Sequence, residues 1–189
     1  MPTQSIAISK VLVANRGEIA VRIMRTLAQM EIDAVAVHSR LDAGSLHVRI
    51  APNAVSLAEV ADSTDATGGY LSIDALVSIA VAEGCDAVHP GYGFLAENAQ
   101  FARACAAAGL VFIGPGPAVI EALGDKAAAR AIAVKAQVPV VPGVEISDDA
   151  QAVTAAAGIG FPILIKPVAG GGGKGMHVAD EVGALTELL

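Results

Sequence analysis

Aromatic side chains are scarce in this chain of 189 residues: no tryptophan, two tyrosines and four phenylalanines, 3% of the sequence. So thin a complement argues against a stacking surface for single-stranded nucleic acid. Basic charge is short as well, 12 Lys and Arg against 19 Asp and Glu, for a formal net charge of −7. A phosphate backbone would be repelled except at a local basic patch, so no nucleic-acid partner is expected. The two cysteines, Cys85 and Cys105, form no CxxC pair and sit among alanines, which argues against a disulfide framework or zinc site and suits small buried side chains. No uncharged run approaches the roughly 18 apolar residues of a membrane span, and residues 1–9 lack a basic region followed by a long apolar one. No membrane association is expected, and a cytoplasmic, reducing location is the default.

What is abundant is small and apolar. Hydrophobic residues make up 54% of the chain, enough for a packed core and too many for disorder. Residues 11–14 read as a buried strand, and after the turn Asn15-Arg-Gly17 the periodicity predicts a helix over 18–30 with Ile19, Ile23, Leu27 and Met30 on one face. A strand at 34–37 follows. The stretch 39–69 is less regular and suggests a short helix near 44–50 and a weak strand at 54–57. Then come a helix over 73–83, a strand at 87–88, a helix over 98–108 and a strand at 110–113. The alternation predicts an α/β fold: a Rossmann-like, mostly parallel sheet with helices on both faces.

Gly114-Pro-Gly-Pro117 punctuates the chain, which sets a boundary between a domain at 1–116 and the start of a second at 117–189. Beyond it the pattern predicts helices over 118–123 and 126–136, a strand-like 139–141 and a helix over 149–157. A strand at 163–166, a hairpin partner at 176–178 and a helix over 181–189 complete it. So few short strands cannot by themselves form half of a nucleotide cleft, so either a partner supplies the rest or the second domain is incomplete.

The densest signal is Ile163-Leu-Ile-Lys-Pro-Val-Ala-Gly-Gly-Gly-Gly-Lys-Gly-Met176. An apolar run delivers Lys166 into near-continuous glycine, whose bare backbone N–H groups approach an anion closely, and Lys174 adds a second point charge. A Walker A loop needs Ser or Thr after its lysine, and Gly175 stands there instead, so this is a glycine loop between strands and not a P-loop. Gly124-Asp-Lys126 opens a helix with Asp125 as its N-cap. A lysine in that first turn opposes the helix dipole, which hints at an anion beside it. In the first domain, Ala14-Asn-Arg-Gly-Glu-Ile-Ala20 and His89-Pro-Gly-Tyr-Gly-Phe-Leu95 both follow strands, where open α/β sheets place their ligand crevices. Tyr92 between two glycines can hold a flat ligand; a turn with Tyr92 and Phe94 packed into the core is the plainer alternative.

Taken in order, these segments, with Glu97-Asn98, Phe112-Ile-Gly-Pro115 and Val138-Pro-Val-Val-Pro-Gly143, resemble biotin carboxylase. That is the ATP-grasp subunit or domain of acetyl-CoA, propionyl-CoA, acyl-CoA and pyruvate carboxylases. The resemblance implies a pre-ATP-grasp domain followed by the beginning of an ATP-grasp domain. It implies a ligase reaction in which ATP and bicarbonate form carboxyphosphate and the carboxyl group passes to biotin on a carrier. Lys126 and Lys166 would contact ATP phosphates, Gly172 and Gly173 would donate from a closing lid, and Met176 would lie at its base. Tyr92 and Gly93, with Glu97 behind them, would line the biotin side, while Arg16 and Glu18 would be architecture for that crevice or a dimer contact. A biotin carboxyl carrier protein or domain, a carboxyltransferase subunit and a second copy of the chain are the implied partners.

Members of the family use roughly 450 residues for this unit, beyond one typical domain. The carboxylates for magnesium, the bicarbonate-binding residues and the general base would lie outside these 189 residues. No catalytic residue and no metal ligand is therefore expected in this chain, and the chain alone is expected to be inactive. Another ATP-grasp ligase would share the glycine loop but has no evident need of Tyr92. A nonenzymatic dinucleotide-binding module would need Gly-x-Gly-x-x-Gly in the first βα turn, which holds only Gly17. A truncated paralogue that regulates a full-length carboxylase is the remaining alternative.

Overall fold

The computed structural model describes residues 7–60, 67–146, 148–166 and 175–188. Two compact units divide the chain, Met1–Gly124 and Asp125–Leu189.

In the first unit β1 (Lys10–Val13), α1 (Gly17–Gln29), β2 (Asp33–His38), α2 (Leu46–Ile50) and β3 (Asn53–Ser56) are followed by α3 (Ile73–Ala82), β4 (Ala87–His89), α4 (Ala99–Ala107), β5 (Val111–Phe112) and α5 (Pro117–Gly124). The strands form one parallel sheet in the order β3-β2-β1-β4-β5. Val11, Leu12 and Val13 are all fully buried because both faces of β1 are covered, which is why the strand reads as an unbroken apolar run. Leu12, Val35 and Val37 pack with Leu76, Ile79 and Phe101 of α3 and α4. Val11 and Val13 pack on the opposite face with Ala20, Met24 and Leu27 of α1, where Ala34, Ala36 and Ala87 leave the helix room to sit close. Chain connections leave β1 toward β2 on one side and return through β4 on the other, so the topological switch point lies between β1 and β4.

In the second unit α6 (Lys126–Lys135), α7 (Asp149–Ile159), β6 (Ile163–Ile165), β7 (His177–Ala179) and α8 (Val182–Leu188) follow. β6 and β7 form an antiparallel hairpin. Ile163 and Ile165 turn toward Ala156, Ala179 and Leu185 of α7, β7 and α8, while Leu164 between them faces outward, the alternation a half-covered strand requires. Helix starts are capped: Asp125, as expected, and also Ser72, Asn98 and Asp148 each accept a backbone N–H of the first turn.

The predicted α/β class and parallel sheet hold, and several details differ. The buried face of α1 is Ala20, Val21, Met24 and Leu27, one step round from the predicted Ile19, Ile23, Leu27 and Met30. Met30 is 61% exposed and caps the C-terminal end of the helix, where the chain turns back toward β2. The predicted strand at 139–141 is irregular backbone, and Val141 is 82% exposed. Pro139 and Pro142 lack the N–H a ladder needs, and the Val141 carbonyl instead accepts from Arg130 Nη1 at 2.6 Å. The weak strand at 54–57 is β3, an edge strand. The first compact unit runs through Gly124 and includes α5, which packs Ile120 against Ala99 and Ala102 of α4 and pairs Glu121 with Arg103 at 2.5 Å. No helix among the described residues is long and apolar enough to cross a membrane.

Candidate functional site

In the first unit the candidate residues gather where the sheet's connections diverge. The loop after β1 brings Asn15, Arg16 and Glu18, and the loop after β4 brings His89 to Leu95. Asn15 is fully buried, and its side-chain N–H₂ donates to the carbonyls of Pro90 at 2.8 Å and Tyr92 at 3.0 Å while its oxygen accepts the Arg16 N–H at 2.9 Å. Every hydrogen-bonding group of that carboxamide is engaged, as a buried amide requires. Gly91 has φ +68°, and a Cβ there would stand 2.7 Å from Asn15 Nδ2 and 2.8 Å from Ile19 Cγ2, so both its conformation and the close approach demand glycine. Its N–H donates to His89 Nδ1 at 3.0 Å, and burial lowers the pKa of that imidazole.

Tyr92 is 64% exposed, so it is not packed into the core. Its hydroxyl donates to Glu18 Oε1 at 2.7 Å, and that bond raises the phenol's pKa. Gly93 (φ +70°) has open space around it, and Glu97 is exposed. Phe94 carries a left-handed backbone, φ 42°, and stacks on the buried Tyr70 with ring centroids 5.1 Å apart.

Sequence reasoning missed what stands beneath this turn. Arg16 grips the buried Asp42 in a fork, Nε to Oδ2 at 2.7 Å and Nη2 to Oδ1 at 2.5 Å. Asp42 also accepts from Tyr70 Oη at 3.0 Å, Ser39 Oγ at 3.2 Å and Ser45 Oγ at 3.4 Å. These bonds, Arg16 foremost, hold its carboxyl down at about 2 against the opposing pull of burial. His47, fully buried on α2, directs Nε2 at the Val37 carbonyl 3.3 Å away, and desolvation lowers its pKa. The only available signal was an Asp and a Tyr in an otherwise irregular stretch at 39–70.

In the second unit Lys126 opens α6 and is exposed, one residue past Asp125, which accepts the Ala128 N–H at 2.7 Å. Lys166 lies one residue beyond β6 and Met176 one residue before β7, both exposed. Ile165 pairs with His177, so Lys166 and Met176 flank the end of the hairpin where the two strands are connected. Gly172 and Gly173 lie outside the described residues, as does Lys174. An open cavity of about 520 Å³ along β3, lined among others by His38, Arg40, Asn53 and Glu83, contains none of the predicted site residues.

The comparisons with known proteins agree with this division. Residues 125–189 match the family model "Carbamoyl-phosphate synthase L chain, ATP binding domain". The chain is 48% identical over 182 residues to the chloroplastic biotin carboxylase of Arabidopsis thaliana, covering 95% of this chain and 33% of that protein. To biotin carboxylase of Halalkalibacterium halodurans it is 50% identical over 173 residues, covering 89% and 37%. It thus spans about a third of the length of the curated relatives it matches. Among solved structures, the biotin carboxylase domain dimer of Hydrogenobacter thermophilus 2-oxoglutarate carboxylase, determined with MgADP, ADP and bicarbonate, superposes with a TM-score of 0.86 at 40% identity, covering 95% of this chain and 39% of that one. Residues 7–120, more than half of the sequence and nearly all of the first unit, match the family model "Biotin carboxylase, N-terminal domain", and the chain belongs to that family.

Proposed function

We propose that this chain serves a biotin carboxylase, an ATP-dependent ligase that carboxylates carrier-held biotin with bicarbonate, and that it contributes the nucleotide grip and one wall of the biotin side. The observation that carries the nucleotide half is the hairpin register: Ile165 opposite His177 sets Lys166 and Met176 on either side of the glycine run. Lys166 is exposed there and so is Lys126 at the head of its helix, and the ammonium group of each is suited to phosphate oxygens. Gly172 and Gly173 would add backbone N–H donors, and their lack of side chains lets a lid close on the triphosphate and exclude water. Met176 would pack at the base of that lid.

The biotin half rests on the first unit. The second unit's matching family is named for carbamoyl-phosphate synthase, so an ATP-grasp fold alone does not separate the candidate ligases; residues 7–120 match the biotin carboxylase model. Tyr92, Gly93 and Glu97 stand exposed at the switch point and would face biotin. Magnesium would neutralise the phosphates in the reaction, and among the described residues no group of three His, Cys, Asp or Glu converges on a place for it. A carrier protein or domain, a carboxyltransferase and a second copy of the chain are the proposed partners, in a cytoplasmic setting.

Calorimetric titration of magnesium-ATP into the pure chain tests the reading. Saturable binding is expected, weakened about 10- to 100-fold by Lys166→Ala, the range for losing a charge-assisted phosphate contact. Absence of saturable heat, or an unchanged affinity in the variant, would refute the assignment of Lys166.

A further inference from the structure

Tyr92 projects from the turn that follows β4, yet that turn is tied at two points to the loop that follows β1. At the inner point the buried Asn15 carboxamide spends both protons on carbonyls of the turn, those of Pro90 and Tyr92. At the outer point the phenol donates to Glu18 Oε1 at 2.7 Å. Both ties cross from β1 to β4, the switch point at which open parallel sheets bind their ligands. We propose that Asn15 and Glu18 are positioning residues for Tyr92: Asn15 fixes the backbone of the turn, and Glu18 fixes the phenol by accepting the hydrogen bond of its only O–H, so that Tyr92 meets its ligand as an acceptor for an N–H donor such as the ureido ring of biotin.

A phenol has one proton to give, and once that proton points at a carboxylate the lone pairs are what remains for a ligand. Glu18 reaches the phenol because it sits in the first turn of α1, where the helix N-terminus favours a carboxylate. An exposed tyrosine that is already ordered spares its ligand the ordering penalty, worth about 2- to 12-fold in affinity. Close packing of Gly91 against Asn15 and Ile19 keeps the turn from sliding along its partner. The ligand named here rests on the biotin reading given above; the hold on Tyr92 does not.

Two readouts separate these. With two tyrosines and no tryptophan, tyrosinate absorbance follows only Tyr92 and the buried Tyr70, whose pKa desolvation raises further. The Tyr92 transition is expected to fall toward the ordinary tyrosine range in Glu18→Gln and to vanish in Tyr92→Phe. In the second readout, biotin is titrated into the wild-type chain, Glu18→Gln, Tyr92→Phe and the double variant. Each single change is expected to weaken binding about 2- to 12-fold, and the double variant no more than Tyr92→Phe alone, because Glu18 acts through the phenol. A merely structural role for Glu18 at the helix end would persist in the phenylalanine background. A Tyr92 transition unmoved by Glu18→Gln, or penalties that add in the double variant, would overturn the proposal. Wild-type chain that takes up no biotin while the transition still moves would remove biotin as the ligand of this turn and leave the two ties standing.

Discussion

Replacing Asp42 with asparagine removes one charge from a side chain that Arg16, Tyr70, Ser39 and Ser45 all donate to. The carboxyl is held down at about 2 instead of the ordinary 3.8, chiefly by its hydrogen bonds from Arg16. A depression of that size corresponds to about 2 kcal/mol of folding free energy. The sign follows from the direction: a group whose folded pKa is depressed contributes fully above its unfolded value, and the contribution is lost as pH falls through the folded one. Asp42→Asn should therefore lower stability by about 2 kcal/mol near neutral pH, and the gap should close between about pH 4 and pH 2. Half of the Arg16 side chain is exposed, so the guanidinium can return to water, which keeps the loss below the roughly 3–5 kcal/mol of breaking a fully buried pair. Urea unfolding followed by tyrosine emission measures this, because both tyrosines lie in the first unit and no tryptophan masks them. A loss below about 0.5 kcal/mol at neutral pH, the level of an ordinary surface pair, or a gap that stays constant on acidification, would refute the reasoning.

Two further comparisons use neighbouring positions as their own controls. Gly91→Ala should cost roughly 2–5 kcal/mol, combining left-handed strain with a collision against Asn15 and Ile19, whereas Gly93→Ala, at nearly the same φ but in open space, should cost only about 1–2; equal losses on thermal unfolding would show that φ alone matters. On α1, Met24→Ala should cost roughly 2–5 kcal/mol and Met30→Ala less than about 0.5, since Met24 is 4% exposed and Met30 is 61% exposed. The reverse order would restore the helix face that includes Met30.

The strands of the first unit were legible because burial on both faces leaves unbroken apolar runs, and the helices because caps and turn glycines mark their ends. Asp125 announced one of them in the sequence, and Ser72 and Asn98 prove to cap two more. The face of α1 was not legible in detail: Ile19, Ile23 and Met30 satisfy the same period as Ala20, Met24 and Leu27, and alanine carries too little hydrophobic weight to win on pattern alone. What decides is tertiary, since the small residues Ala34, Ala36 and Ala87 admit the helix closely on Ala20. The stretch 139–141 has strand propensity but stands between prolines that cannot complete a ladder. Around the candidate site, the Tyr92 turn announced itself through its glycines. The Arg16–Asp42–Tyr70 network did not, because its members are far apart in sequence and no local period links them.

A chain with a net charge of −7 is a poor general attractor for ATP, so any grip on phosphate has to be local. Screening shortens the reach of exposed charges to about 8 Å at physiological ionic strength, which leaves distant carboxylates little say at the hairpin mouth. On the proposed nucleotide reading, Lys126 and Lys166 would gain further from standing on the less deeply cored unit. There the buried cluster is Ala156, Ala179 and Leu185, and α6 buries no residue, whereas the first unit has a full cluster on each face of its sheet. Elements with few buried apolar contacts open at low free energy, as parts that close over ligands must. Binding then adds to their stability in proportion to ligand concentration over Kd, so gripping the nucleotide and ordering the unit are one equilibrium. On the same reading the first unit would have the opposite task, presenting Tyr92 in one conformation, and its buried polar bonds and two-sided core would suit that task as the lysine-bearing hairpin would suit the other.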